Sequence, residues 1–344
     1  MVAPRIATIA CSVCLVVAAP RAAGQSVPAK HILLLHQAGS PGSFRSRFDL
    51  AFAEAIRTDD SVPIELHEEV VESHRFPGPD QLQLLRNFLQ KKYEGQPIDV
   101  IVAQGAGPLA FARQNRELFG RPPVVTIVSP SGLIASKDDV AGLQGGFFIS
   151  GTVDLALGLL PETRSVYVID GARQNDDELQ SEVERQLKTR SGITLVYLKD
   201  RPLSDVLSRV AAAPAHSIVF FIKQTMMSRS ESVDQREALK QVVRVSPVPV
   251  FGQLEDFLGQ GIVGGYIWRA EEDARRLAIM ARTIANGARV RDVEPGRATY
   301  STMLDWRQLQ RWHIPESRIL RRAWCSIVSR RSSSCAGSMW PPRW

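Results

Sequence analysis

The fold class follows from one stretch of the sequence, Val100-Ile101-Val102-Ala103-Gln104-Gly105-Ala106-Gly107-Pro108-Leu109-Ala110. Its first four residues form a continuous apolar run, which is typical of a parallel strand that is buried on both faces. Two glycines follow, and Pro108 stands in the first turn of a predicted helix, where a proline is well tolerated. The stretch predicts a strand, a tight turn and a helix, the repeating unit of α/β proteins.

The same alternation runs along most of the chain. Amphipathic segments lie between the apolar runs, for example the one that places Phe44, Phe48, Phe52 and Ile56 at every fourth position. Further apolar runs cover residues 32–35, 124–128, 165–169, 193–197, 218–222, 248–251 and 262–267. Because parallel strands need crossover connections, the pattern predicts helices packed on parallel sheets. About 294 residues follow this pattern, so we expect two sheets.

Charge is distributed unevenly along the chain. The 344 residues carry a formal net charge of +6, which taken alone suggests a nucleic-acid or anionic-membrane partner. Residues 1–24 and 319–344 together hold seven arginines and no acidic residue. Residues 25–318 hold 35 basic and 36 acidic residues and no cysteine. We therefore expect a nearly neutral folded body that binds no nucleic acid and needs no disulfide.

The first residues have the pattern of a secretory signal. Arg5 is followed by an uncharged, mostly apolar run of 14 residues, Ile6 to Ala19, and then by Ala22-Ala23-Gly24. This run is shorter than the ~20 apolar residues of a membrane-spanning helix. Residues 1–24 are predicted to be a signal peptide that exports the protein to the periplasm and leaves no stable membrane span after cleavage. An uncleaved anchor is the alternative.

The last 26 residues, 319–344, differ in composition from the body. They contain five arginines, six serines, three tryptophans and no acidic residue, and they show no helical or strand period. We expect an unstructured basic tail. The alternatives are a basic interaction tail and out-of-frame translation of a longer gene, the latter because the composition changes abruptly after Arg318.

The turn at 105–110 fits the pattern G-x-G-x-x-A of dinucleotide-binding folds. A dinucleotide site also needs an acidic residue at the end of the next strand, but that strand ends at Ser129-Pro130-Ser131. We therefore expect no cofactor. Two interpretations stay open: the helix N-terminus receives a carboxylate or another anion, or the turn is tight and holds no ligand.

Small polar residues follow the predicted strands, and in open parallel sheets ligands bind beyond the carboxyl ends of the strands. Lys223 is the candidate partner for an anion, with a solvated lysine at the rim as the alternative. The candidate ligand-binding residues are Gln37, Gly39, Ser40, Gly105, Ala106, Gly107, Ser129, Asp170, Lys223, Gln253 and Tyr266.

No catalytic or metal-binding residues are predicted. The body shows no pattern that joins a nucleophile to a base, so we expect a binding protein and not an enzyme. His67-Glu68-Glu69 and His74 do not have the spacing of a metal-binding helix, and we interpret them as solvated surface.

Several segments of the body resemble a known family. They are 48–52, 75–77, 92–93, 97–103, 159–163, 304–309 and, most tellingly, 312–318 (Trp-His-Ile-Pro-Glu-Ser-Arg). Residues 30–318 resemble the ABC transporter substrate-binding family related to tryptophan- and tyrosine-binding lipoproteins. Within that family they are most similar to the periplasmic sensor region that precedes some bacterial sensor histidine kinases.

The resemblance implies a type I periplasmic-binding-protein fold, an α/β architecture of two doubly wound parallel-sheet lobes that close like a hinge. On this basis we place lobe one at 30–147 plus 268–300 and lobe two at 148–267 plus 301–318. The chain is expected to cross between the lobes near Phe148, Trp268 and Thr299. The resemblance also places the 105–108 turn against a ligand carboxylate.

The expected function is that of a periplasmic solute-binding protein for a small polar or amino-acid-like ligand, with an ABC permease or a sensor kinase as partner. The resemblance stops at Arg318, where kinase-linked members continue into a membrane helix and a kinase. The alternative is therefore a truncated extracytoplasmic sensor domain of a histidine kinase that acts through contacts with its partner.

Overall fold

A computed structural model describes residues 28–37, 43–58, 62–71, 78–128, 139–145, 149–171, 177–187, 192–228, 231, 233–319 and 326–328. The strands are β1 (Lys30–Gln37), β2 (Ile64–Val71), β3 (Val100–Gln104), β4 (Val124–Val128), β5 (Val140–Gln144), β6 (Ser165–Gly171), β7 (Thr194–Lys199), β8 (Ser217–Gln224), β9 (Val250–Gly252), β10 (Gly264–Trp268), β11 (Gly296–Arg297), β12 (Tyr300–Asp305) and β13 (Ser326–Val328). The helices are α1 (Ser43–Ile56), α2 (Pro79–Lys92), α3 (Ala106–Gln114), α4 (Ile149–Leu159), α5 (Asp177–Leu187), α6 (Leu203–Ala211), α7 (Gln235–Val245), α8 (Ala270–Ala285) and α9 (Trp306–Arg311).

The first sheet has the strand order β2-β1-β3-β4-β5-β11, and all of its neighbouring strands are parallel. Successive residues of a strand point to opposite faces. Ile32 and Leu34 of β1 accordingly pack against α1 and α8, whereas Leu33 and Leu35 pack in the core beneath α2 and α3. This explains the continuous apolar runs, because both faces of the sheet are covered. We call this sheet with its four helices lobe one.

The second sheet has the order β7-β6-β8-β9, also parallel. Next to it, β10 runs beside β9, and the Val263 N–H donates to the Val250 carbonyl at 2.7 Å. β12 then pairs antiparallel with β10. Ile218 and Phe220 of β8 face a core with α4 and α5, whereas Val219 and Phe221 face a core with α6 and α7. These strands and α4–α7 with α9 form lobe two.

The chain passes between the lobes at three places: after β5, between β10 and α8, and between β11 and β12. Trp268 and Thr299 lie at the second and third passages, and the Arg269 N–H donates to the Thr299 carbonyl at 2.8 Å. Phe148 lies outside the described residues. The lobe boundaries drawn from the sequence stay a prediction.

Asp273, on α8, holds the second and third passages together. Its side chain is fully buried and accepts from the Trp268 indole N–H at 2.8 Å and from the Arg276 guanidinium at 2.9 Å. It also accepts from the amide N–H and the hydroxyl of Thr299, each at 2.9 Å. One carboxylate therefore accepts hydrogen bonds from four donors at the second and third passages between the lobes. The sequence alone gave no indication of this role.

The predicted α/β class with two parallel sheets is confirmed. One part of the tail prediction is wrong: Ser326–Val328 forms a short strand, β13, parallel to β12, because β12 has a free edge that a following segment can pair with. Ile319 is also buried, in the core of lobe two. The signal-peptide prediction and the rest of the tail lie outside the described residues. Among the helices that are described, none is long and apolar enough to span a bilayer.

Candidate ligand-binding cleft

In each of the two parallel sheets there is one point at which successive strands of the chain are added on the opposite side. In lobe one this switch point lies between β1 and β3, and in lobe two it lies between β6 and β8. Ligands of open α/β sheets bind in the crevice beyond the carboxyl ends of the two strands at such a point. The residues of interest are therefore those at the ends of β1, β3, β6 and β8.

In lobe one, β3 ends at Gln104 and the chain turns directly into α3. Gly105 is the N-cap residue and has φ +98° and ψ 176°, a conformation that is essentially restricted to glycine. The amides of Ala106 and Gly107 open the helix, and neither donates to a backbone carbonyl in the described part of the chain. The arrangement fits the predicted anion interpretation of the turn.

The conformation of Gly105 leads to a first prediction. Gly105→Ala is expected to lower the free energy of unfolding by about 1–3 kcal/mol, because an L side chain disfavours this region of φ and ψ. Gly78→Ala is a matched control, since Gly78 is the N-cap of α2 but has φ −63° and no atom within 4 Å of an added Cβ. Urea unfolding of both variants measures the difference. Equal losses of unfolding free energy in Gly105→Ala and Gly78→Ala would show that the backbone conformation at position 105 does not require glycine.

His36 lies at the end of β1 and is a site residue that the sequence analysis missed. The ring is fully buried, and its Nδ1 lies 3.2 Å from both the Gln104 Oε1 and the Asp49 Oδ1. Its Nε2 lies 3.2 Å from the Glu68 Oε2. His36 thus fixes the side chain of Gln104 at the switch point of lobe one. His36 lies at the end of an apolar strand, beside Gln37. The reasoning that selected Gln37 from the sequence could therefore have selected His36 as well.

In lobe two, the ends of β6 and β8 bring Asp170 and Lys223 together. The two residues are paired in register, and the Lys223 Nζ lies 3.8 Å from the Asp170 Oδ1. The Tyr197 hydroxyl, on β7, donates to the Asp170 Oδ2 at 2.9 Å. The Asp170 carboxylate is almost fully buried, whereas the Lys223 side chain is 23% exposed and reaches solvent. A cation, a carboxylate and a hydroxyl therefore meet at this switch point.

Gln253 and Tyr266 lie where the lobes join. Gln253 is buried at the end of β9, and its carbonyl accepts from the Trp268 N–H at 3.1 Å. Tyr266 stacks on Tyr300, with ring centroids 5.3 Å apart, and its amide donates to the Thr152 hydroxyl at 3.0 Å. These two predicted residues border the passages between the lobes.

The carboxyl-end edges of the two sheets face each other. Arg47, near the start of α1 and hence at the carboxyl edge of lobe one, forms an ion pair with Asp256 and lies 3.6 Å from Glu255. Both acids follow β9, at the carboxyl edge of lobe two. Arg269, between the lobes, also contacts Glu255 at 3.4 Å. We call Arg47, Glu255 and Asp256 the interlobe bridge; the sequence analysis missed all three residues.

Arg47 keeps its positive charge in the interlobe bridge. Partial burial acts to lower the pKa of Arg47, but the hydrogen bond and the charge of Asp256, with the charges of Glu255 and Glu271, raise it overall. The guanidinium therefore stays protonated throughout the physiological range, and the bridge persists at any pH at which its carboxylates are ionised.

The predicted residues Gly39, Ser40 and Ser129 lie outside the described residues, and only the backbone of Gln37 is described. Gly107 also lines a groove of about 330 Å³ between α2 and α3, with Arg86 as its charged residue. Of the predicted set, the structure brings Asp170 and Lys223 into contact, and it places Gly105, Ala106 and Gly107 together at the facing edge.

Comparison with known proteins identifies the architecture. No family model and no curated protein matches the sequence. Solved structures do match. The ABC domain in complex with L-Trp from Streptococcus pneumoniae has a TM-score of 0.61 at 14% identity, over 87% of this chain and 100% of that chain. The fold is that of type I periplasmic binding proteins.

Two further structures agree. A conserved domain protein from Vibrio cholerae has a TM-score of 0.63 at 15% identity, over 86% of this chain and 99% of that chain. An ABC transporter periplasmic solute-binding protein from Actinobacillus succinogenes with bound D-allose has a TM-score of 0.55 at 14% identity, over 82% of this chain and 100% of that one. These two neighbours hold an amino acid and a sugar on the same fold.

Proposed function

We propose that the protein is a periplasmic solute-binding protein that takes a small polar or amino-acid-like ligand between the two switch points. The observation that carries the proposal is the interlobe bridge, because it brings the carboxyl edge of lobe one opposite that of lobe two. A ligand between these edges contacts the turn at Gly105 on one side and the Asp170–Lys223 pair on the other.

The chemistry of the two edges suggests a ligand with both an anionic and a donor group. Backbone amides at the start of α3 and the Lys223 ammonium favour a carboxylate. The Asp170 carboxylate and the Tyr197 hydroxyl favour an ammonium or a hydroxyl group. An amino acid or a hydroxy acid supplies both kinds of group, whereas a purely apolar ligand would desolvate these polar groups and offer them no hydrogen bond in return.

A thermal-melt panel tests this proposal. Amino acids, hydroxy acids, other small acids, sugars and nucleosides are each added at millimolar concentration to the purified protein. A ligand present at 100 times its Kd stabilises the folded state by about 2.7 kcal/mol, so the midpoint of a folded body of about 294 residues is expected to rise by about 4 °C. A panel in which no polar solute shifts the midpoint would contradict the proposal.

The partner decides between uptake and sensing. We propose an ABC permease or a sensor kinase, with residues 1–24 as the export signal. The alternative function, a truncated sensor domain of a histidine kinase, is favoured by the resemblance of 312–318 and by the change of composition after Arg318. Sequencing the DNA downstream separates the two: a shifted frame that encodes a membrane helix and a kinase supports the sensor, and a neighbouring permease gene supports uptake.

The interlobe bridge gives a second prediction. Arg47→Gln is expected to weaken the binding of the panel's ligand about two- to tenfold, because the ion pairs favour the conformation in which both edges reach the ligand. Arg57→Gln is the control, since Arg57 directly follows α1 and its exposed guanidinium donates to the Ala53 carbonyl at 3.5 Å. Titration calorimetry of both variants gives the comparison. Wild-type affinity in Arg47→Gln would mean that the bridge has no part in binding.

A further inference from the structure

A second cluster of ligating side chains lies on β1 and β2, at the end of the sheet away from the cleft. His31 is the second residue of β1 and pairs in register with Glu65, and Leu33 pairs with His67. In parallel strands, residues in register and residues two apart along one strand point to the same face. His31, Glu65 and His67 therefore project from one face of the edge of lobe one.

The three side chains converge on one point. The His31 Nδ1 lies 3.1 Å from the His67 Nε2 and 3.6 Å from the Glu65 Oε2, and the His67 Nε2 lies 3.7 Å from the Glu65 Oε1. Ligand atoms at about 2.0–2.1 Å from a tetrahedral zinc ion lie about 3.3–3.4 Å apart. The two nitrogens lie within a few tenths of an ångström of this separation, and so does each nitrogen from one of the two Glu65 carboxylate oxygens.

We propose that His31, Glu65 and His67 bind a Zn²⁺ ion, with a fourth position open to solvent. Two imidazoles and one carboxylate are a common ligand set for zinc sites that keep an open position. The Glu65 side chain is 57% exposed and the histidines are partly buried, so the ion has a path of entry from solvent.

The neighbouring cluster of His36, Asp49 and Glu68 has a different set of ligands. Its two carboxylates contact different nitrogens of one imidazole, Asp49 at Nδ1 and Glu68 at Nε2. Ligand atoms of these three residues also lie within 4.8 Å of one another, but the cluster holds a single imidazole. The pair of histidines, His31 and His67, is therefore the feature that indicates a metal site. A single histidine beside acidic residues does not indicate one.

The ion would join the edge strand β2 to β1. Among the strands that the structure describes, β2 pairs with β1 alone, and this pairing is the outermost of the first sheet. A metal bound by both strands stabilises the folded state according to its concentration and affinity. The inference does not depend on the proposed function, because none of the three residues belongs to the cleft.

The test is a titration of ZnCl₂ into the full-length protein after removal of metal with a chelator, followed by calorimetry. We expect one Zn²⁺ per chain and at least about tenfold weaker binding in His31→Gln, Glu65→Gln and His67→Gln. His216→Gln is the matched control, because His216 also pairs with an acid, Glu162, at 3.5 Å. Calcium and magnesium, which prefer oxygen ligands, should not compete.

Two further arms make the result decisive. Because thiolates also bind zinc, the titration is repeated with Cys11, Cys14, Cys325 and Cys335 all replaced by serine, and the site should persist. Melting curves without metal show that the three Gln variants fold, and Co²⁺ should give tetrahedral visible bands in the wild type alone. Zinc binding that is absent, or that survives in the three variants, would leave the cluster as a hydrogen-bonded pair of histidines and overturn the proposal.

Discussion

Asp273→Ala is expected to lower the free energy of unfolding by about 3–5 kcal/mol, the largest effect on stability that we expect from a single substitution in the chain. The carboxylate is fully buried and accepts four hydrogen bonds, from Trp268, Arg276 and both donors of Thr299. Alanine removes all four acceptors at once. The donors are left beside a cavity where little water can replace the lost oxygen atoms.

Urea unfolding of Asp273→Ala, compared with Glu272→Ala, measures this effect. Glu272 is the preceding residue of α8 and is exposed, so its loss is expected to change stability by no more than about 0.5 kcal/mol. Both variants place alanine in the same turn of the same helix, and alanine gains at most about 0.7 kcal/mol of helix propensity at either position, which is far less than the expected difference. A loss below about 1 kcal/mol for Asp273→Ala would show that the two passages are held by other contacts.

Lys223→Ala is expected to weaken ligand binding about 10- to 100-fold. A hydrogen bond to a charged group contributes about 1.5–3 kcal/mol, and each 1.4 kcal/mol corresponds to tenfold in affinity. The Lys223 side chain is partly exposed and lies 3.8 Å from Asp170, so its ammonium is placed to contact a ligand in the cleft. Because the Lys223 side chain reaches solvent and Asp170 keeps its hydrogen bond from Tyr197, the fold is expected to survive the substitution.

Lys240→Ala is the control for this prediction. Lys240 is exposed on α7 and is the same type of residue in the same lobe. Titration of the ligand into both variants and the wild type, at one ionic strength, separates a specific contact from a general effect of positive charge. Equal affinities of Lys223→Ala and Lys240→Ala would remove Lys223 from the site and support the alternative of a solvated lysine at the rim.

The fold could be predicted because its strands are buried on both faces. A continuous apolar run such as Val100–Ala103 has this pattern only when helices cover both sides of the sheet. The same reasoning located the ends of β3, β6 and β8, and hence Gly105, Asp170 and Lys223. The short strand Ser326–Val328 could not be predicted, because three residues show no period and the pairing depends on the exposed edge of β12.

Contacts between distant segments account for what the sequence did not show. Arg47 meets Asp256 across 209 positions, and Asp273 meets Thr299 across 26. The pair His31 and His67 is 36 positions apart and becomes a cluster only through the register of β1 and β2. Spacing along the chain detects metal ligands on a helix or in a loop, but for ligands on two strands the register must be known.

We propose above all that one ligand is held between the switch points of both lobes. The measurement that tests it is a calorimetric titration of the panel's ligand into the wild type, Gln104→Ala and Lys223→Ala, which remove one side chain from each edge. We predict 1:1 binding by the wild type and at least about tenfold weaker binding by both variants. Wild-type affinity in either variant would contradict the claim, because the ligand would then contact one lobe alone.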